Sequence, residues 1–244
     1  MKISNGVEML EIKGEVRGQA KVIYPTLIHD EDNVILVDAG FPEQFDIIRE
    51  EIEKAGVSFD KLKTIILTHH DIDHVGSLKK FVETLPEVKV LTHEEEKPYI
   101  NGEKTPHKLA QLEKNFDSLP SNMKMFVQSF KSGFENSRVD IDKTFIDGEE
   151  LPYLGGIKVI YTPGHTIGHS SLYIKESKIL IVGDNLMVED GKLVKASSSI
   201  NFDNKLYEES LKKFKNFDIE SVICYHGGLY RGKVNERIEQ LINE

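Results

Sequence analysis

The chain has 244 residues, 39% hydrophobic and 30% charged, ordinary proportions for a folded protein with a core of its own. Its 41 acidic against 31 basic residues leave a net charge of −10, which argues against binding to nucleic acid or to anionic membrane surfaces. A single cysteine, Cys224, rules out an intramolecular disulfide framework, no apolar run reaches membrane-spanning length, and the N-terminal residues turn polar too soon for a signal segment, so a cytoplasmic location is expected.

Residues 21–28 and Val34–Val37 are rich in β-branched side chains and flank a polar turn at 29–33, which predicts a strand ribbon ending in Asp38-Ala39-Gly40. Phe45, Ile48 and Ile52 then fall at helical spacing, with Gly56 placed to close that helix. Residues 63–68 predict a buried strand that delivers His69-His70-Asp71-Ile72-Asp73-His74. A helix over 77–85 and a strand over 88–91 are expected to follow.

Residues 94–138 turn charged and mostly helical, with Leu119, Met123, Phe126, Val127, Phe130 and Phe134 on one helix face. That face packs on the main core, covers a substrate pocket, or makes a homodimer contact. Strands return at Ile157–Tyr161, 171–174 and 179–182. A helix over 205–217, a strand at Ser221–Cys224 and a closing helix over 234–242 complete the chain.

Residues 64–69 faintly echo 159–165, and residues 34–38 echo 179–184, so each half runs apolar strands into turns bearing His or Asp. Strands and helices alternating in this way predict layered α/β architecture. The whole of 1–244 reads as one domain with a helical insertion at about 94–138.

Six of the nine histidines lie in three short glycine-flanked segments, at 68–76, 162–169 and 225–228. A fourth segment, Val182-Gly183-Asp184-Asn185, ends an apolar strand with an acid. Imidazole and carboxylate are ligands for borderline and hard divalent cations. Crowded at a strand end, His69, Asp71, Asp73 and His74 would waste desolvation energy without a cation to draw them together.

In order and spacing these residues resemble the metallo-β-lactamase-fold hydrolase superfamily, over essentially the whole chain. That family's usual signature is His-x-His-x-Asp-His, then a distant His, a bridging Asp and a final His. The resemblance implies a four-layer αββα sandwich, with two mixed sheets flanked by helices. It also implies two divalent metal ions, zinc first among them and iron or manganese as alternatives. His69, Asp71 and His165 would hold one ion, Asp73, His74 and His226 the other, and Asp184 would bridge both. Asp73 would orient a metal-bound hydroxide and Asp184 would help shuttle its proton. Asp38 and Thr68 would orient the ligands from behind.

Asp71 departs from the pattern, standing where most relatives carry a second histidine. Either Asp71 ligates as a carboxylate, or His70 swings in instead, or the first position is weak or empty and the centre is mononuclear. His70 otherwise reads as a neighbour of the ligands, His169 as structural, and Cys224 as a small core residue. Tyr225 either packs or donates a hydrogen bond to substrate. Gly76, Gly164, Gly183 and Gly227 read as tight turns or close backbone approaches.

The implied activity is hydrolysis of a small ester, thioester, lactone or related metabolite. Met187 stands where the superfamily's lactonases carry a tyrosine, which weakens the lactone reading. The 18 residues after His226 are too few for the helical substrate domain of glyoxalase II enzymes. Two alternatives stand beside this reading: a non-haem di-iron redox protein fed by a separate electron donor, and a non-catalytic metal-binding module.

Overall fold

The computed structural model describes every residue except Arg17. Among the described residues, seven strands form one mixed sheet in the order Lys2–Ser4, Val7–Met9, Thr26–His29, Val34–Val37, Thr64–Ile66, Lys89–His93 and Lys143–Phe145. Six form a second, in the order Glu150–Leu151, Ile157–Tyr161, Ser170–Ile174, Ile179–Ile181, Ser221–Cys224 and Gly228–Arg231. Two hairpins, Ile12–Val16 with Gln19–Ile23 and Leu186–Glu189 with Lys192–Lys195, stand apart from both.

Three apolar clusters define the layers. Between the sheets, Ile35, Val37 and Ile66 of the first meet Ile157, Val159, Ile179, Ile181 and Ile223 of the second. Because side chains alternate along a strand, Leu36 and Ile65 face the other way. There they pack on Phe45, Ile48 and Ile52 of the helix Phe45–Lys54 and on Leu78 and Phe81 of Leu78–Thr84. The outer face of the second sheet, with Leu180, Val222 and Cys224, is covered by Tyr207 and Leu211 of Asn204–Lys212 and by Ile238 and Leu241 of Val234–Asn243. The result is the αββα sandwich, with strands apolar on both faces because both faces are covered.

Residues 94–138 form the helices Lys97–Ile100, His107–Lys114 and Ser121–Ser137. Val127 and Phe134 are buried in the first helical layer, and Leu119, Phe126 and Phe130 pack half-buried against it. The apolar face therefore rests on the main core.

Three expectations need correction. The strand expected over 21–28 is two, Gln19–Ile23 and Thr26–His29, with different partners. Pro25 between them has no N–H for a ladder. The helix expected over 205–217 ends at Lys212 and tightens into a 3₁₀ turn at Lys213–Asn216. The internal echo holds only in part. Val34–Val37 and Ile179–Ile181 do correspond, each lying between an antiparallel neighbour before it in the chain and a parallel one after it. The counterpart of Thr64–Ile66 is then Ser221–Cys224, whereas Ile157–Tyr161 is antiparallel to its partners. An apolar run followed by histidine marks both segments, so the pattern alone does not separate them.

Candidate metal centre

The carboxyl ends of strands from both sheets converge on one edge of the sandwich. Thr64–Ile66 leads into His69 and Asp71, and the short helix Ile72–Val75 carries Asp73 and His74. Ile179–Ile181 leads to Asp184, and Ser221–Cys224 to His226. His165 sits in the loop between Ile157–Tyr161 and Ser170–Ile174. Gly183 permits the last approach: its φ is +52°, and a Cβ there would stand 2.7 Å from His169 Nε2 and 3.0 Å from Thr68 Oγ1.

Three of the four ligand rings, those of His74, His69 and His165, are turned from behind. Asp38 Oδ2 lies 2.9 Å from His74 Nδ1, and Asp38 Oδ1 accepts the Thr68 backbone N–H at 2.8 Å. Asp38 holds a φ of +67°, a left-handed conformation that few residues other than glycine adopt cheaply. The Thr68 hydroxyl donates to Asp38 and stands 3.0 Å from His69 Nδ1. His165 Nδ1 faces Asn201 Oδ1 at 3.2 Å. With the Nδ1 atoms so engaged, the Nε2 atoms of these histidines point to a common centre.

Two groups of ligand atoms result, each with its atoms within 4.8 Å of one another: His69, Asp71, His165 and Asp184, and Asp73, His74, Asp184 and His226. In the first, Asp71 Oδ2 is 3.0 Å from His165 Nε2 and 3.4 Å from His69 Nε2. In the second, Asp73 Oδ2 is 3.2 Å from His226 Nε2 and 3.8 Å from His74 Nε2. Asp184 belongs to both. Its Oδ1 lies 3.2 Å from His74 Nε2, and its Oδ2 lies 3.4 Å from both His165 and His226. His69 Nε2, His74 Nε2 and Asp184 Oδ1 are buried and make no hydrogen bond among the described residues. Buried polar atoms left so cost stability unless something satisfies them, and the donor set suits a divalent cation.

The electrostatics are those of a site that favours positive charge. Burial alone would raise the Asp184 carboxyl, yet His226 and His74 hold it well below the usual range. Burial likewise opposes charge on His226 and His74. The flanking acids win, raising His226 to about 10 and His74 well above an ordinary imidazole. His69, fully buried and beside His74, is pushed well down.

His70 is not among either group. Its ring nitrogen Nδ1 bonds Glu96, and its backbone N–H donates to Glu96 Oε2 at 2.8 Å. Asp71, and not His70, faces His69 and His165. Tyr225 donates to the Asp73 backbone carbonyl at 2.5 Å and packs its ring on His74, with 3.8 Å between centroids. Cys224 lies in the outer core of the second sheet, where burial pushes its thiol up.

Three residues were not singled out for these roles by sequence. Lys108, on the helix His107–Lys114, bonds Asp71 Oδ2 through its ammonium and stands 3.2 Å from His165 Nε2. Burial opposes the Lys108 charge, but Asp71 outweighs it, and the ammonium in turn keeps Asp71 ionised well below the carboxylate norm. Glu96 is fully buried and joins two ligand loops, taking His70 on Oε2 and the Thr166 hydroxyl and Gly168 N–H, both at 2.6 Å, on Oε1. His169, read as structural, accepts the Asp184 backbone N–H on Nε2 at 3.1 Å. Burial lowers it to about 3, and so it is neutral, as an acceptor must be. Beside the first group opens a cleft of about 120 Å³, lined among others by His107, Lys108, Gln111, Ile200, Asn201 and Phe202.

A family model described as the metallo-beta-lactamase superfamily matches residues 20–226. The chain is 26% identical to the "Probable metallo-hydrolase YflN" of Bacillus subtilis over 228 residues, covering 88% of this chain and 83% of that one. It is 30% identical to the "Metallo-beta-lactamase fold-containing protein ST1585" of Sulfurisphaera tokodaii, covering 86% and 75%. Among solved structures, the metallo-beta-lactamase family protein TTHA1429 from Thermus thermophilus superposes with a TM-score of 0.74. The match has 23% identity and covers 99% of this chain and 80% of that one. This last likeness concerns the fold.

Proposed function

The chain belongs to the metallo-beta-lactamase superfamily of metallo-hydrolases, and from that premise we propose that it hydrolyses a small ester, thioester or related acyl metabolite at a two-ion centre. The observation that carries this reading is the position of Asp184, between two ligand groups in which His69 Nε2 and His74 Nε2 are buried without a hydrogen-bond partner among the described residues. Divalent ions held there, most simply zinc, would polarise the scissile carbonyl and bring water toward a pKa of ~7.

The chain's own residues supply the rest. Asp73, partly exposed at the rim, would orient the attacking water through its carboxylate. Asp184, between His165 and His226, would help carry the released proton to the leaving alkoxide or thiolate. The acyl portion lies in the cleft, with Phe202 and Ile200 offering apolar surface and Gln111 and Asn201 polar contacts. The cleft opens directly beside the first ligand group, and a net charge of −10 favours a small molecule over nucleic acid.

A second reading rests on Asp71. A carboxylate in the first group makes the ligand set richer in oxygen, which suits iron as well as zinc. Metal analysis of anaerobically purified protein, followed by an ester, thioester and lactone panel with each reconstituted ion, separates the two. Zinc-loaded protein that hydrolyses a member of the panel supports the proposal. Iron-loaded protein that consumes oxygen or nitric oxide and hydrolyses nothing refutes it.

A further inference from the structure

We propose that Lys108 is a tethered cation that occupies the first metal position in competition with the metal, so that the two positions of the centre fill unequally. The inference rests on the two-ion reading above and concerns how this chain's own side chains regulate it.

The geometry is specific. Lys108 reaches across from the helix His107–Lys114, and its Nζ contacts Asp71 Oδ2 and His165 Nε2, two of the atoms that would bind the first ion. A zinc ion stands ~2.0–2.2 Å from its nitrogen and oxygen ligands. An ammonium within hydrogen-bond reach of the same oxygen and nitrogen fills that space, and like charges do not share it. One must leave for the other to enter.

The second position has no such occupant. Asp73 pairs with His74 and His226, and Asp184 with the four histidines; among the described residues no lysine or arginine makes an ion pair with either acid. The asymmetry follows from two features together. An acid at position 71, in place of a neutral imidazole, creates an anion that an ammonium satisfies, and a lysine stands one helix away to satisfy it.

Displacing a charge-assisted hydrogen bond should weaken the first position by about tenfold or more relative to the second. Once displaced, the Lys108 ammonium has the adjoining cleft to enter, where Gln111 and Asn201 offer oxygen partners.

The test is zinc titration of the metal-free protein against a chelating indicator, for wild type, Lys108→Met and Lys108→Arg. Methionine keeps the length and apolar stem and removes the charge; arginine keeps the charge. Wild type should bind two zinc ions with affinities at least about tenfold apart. Lys108→Met should tighten the weaker step and close the gap, and Lys108→Arg should retain it. Two equal affinities in wild type, or a gap unchanged in Lys108→Met, overturns the proposal while leaving the two-ion centre intact. Failure of wild type to bind any zinc overturns both.

Should Lys108→Met not fold, wild-type crystals given one equivalent of zinc decide the matter. An anomalous peak between Asp73, His74 and His226, with Lys108 still on Asp71, supports the proposal. A peak between His69, Asp71 and His165, with Lys108 turned away, overturns it.

Discussion

Asp38 Oδ2 faces His74 Nδ1 at 2.9 Å and thereby aims the opposite ring nitrogen, Nε2, at Asp184 Oδ1, 3.2 Å away. The same carboxylate receives the Thr68 N–H and hydroxyl, so one buried acid sets the direction of two strand ends. Replacing Asp38 with Ala frees the His74 ring and leaves these donors unsatisfied. Metal affinity should fall by about 10–100-fold, measured by chelator competition. Asp38→Asn, which keeps an acceptor and tolerates the positive φ, should lose less.

Glu96 ties the His70 loop to the loop carrying His165, with every one of its contacts buried. A glutamine there has one acceptor oxygen, and its NH₂ meets donors. Glu96→Gln should therefore cost about 3 kcal/mol in urea unfolding. Turnover should fall with it, since Asp71 and His165 then lose their common brace.

The metal-free protein should be most stable near pH 6.5, the ordinary imidazole value. His169 is held at about 3, so between pH 6.5 and 3 the unfolded chain binds a proton that the native state refuses, and stability is lost as pH falls. His226 is raised to about 10. Its contribution is complete below pH 6.5 and is lost as pH rises toward 10, because the native state then keeps a proton the unfolded chain has released. Urea midpoints from pH 4.5 to 9 check this. Zinc, which requires neutral imidazoles, should release protons on binding and flatten the alkaline side. A midpoint that climbs steadily to pH 9 without metal contradicts it.

These residues show how far the sequence reaches. All seven proposed ligands fall together in the structure because strand ends place them, and strand ends are marked by apolar runs that stop at glycine, histidine or acid. Runs such as Val34–Val37 and Ile157–Tyr161 made layered α/β architecture legible for the same reason, while the four-layer sandwich followed from the family resemblance. Lys108 and Glu96 were not. Each lies in the charged segment 94–138, where polar residues carry no periodicity that separates a buried contact from a solvated one. Their partners are 26 to 72 positions away in the chain. The short strands Lys2–Ser4 and Val7–Met9 were missed because three residues are too few to show alternation. Pro25, by contrast, offered a signal for the break that the β-branched run around it masked.

Asp71 sets the charge of the first position, which an acid makes one unit less positive than histidine would. Asp71→His should tighten binding of anionic inhibitors and move the acid limb of the pH–rate profile to lower pH, since a more positive centre lowers the pKa of its water. The measurement is a pH–rate profile on fully metallated protein. A limb that stays in place removes the Asp71 charge from control of the reaction.

The central claim is that Asp184 joins two cation positions. Anomalous diffraction from crystals saturated with zinc tests it most directly. Two peaks about 3.5–4 Å apart, one toward His69, Asp71 and His165 and the other toward Asp73, His74 and His226, with Asp184 between them, are the predicted result. No peak at either group, or zinc bound without Asp184 in contact, would contradict the account.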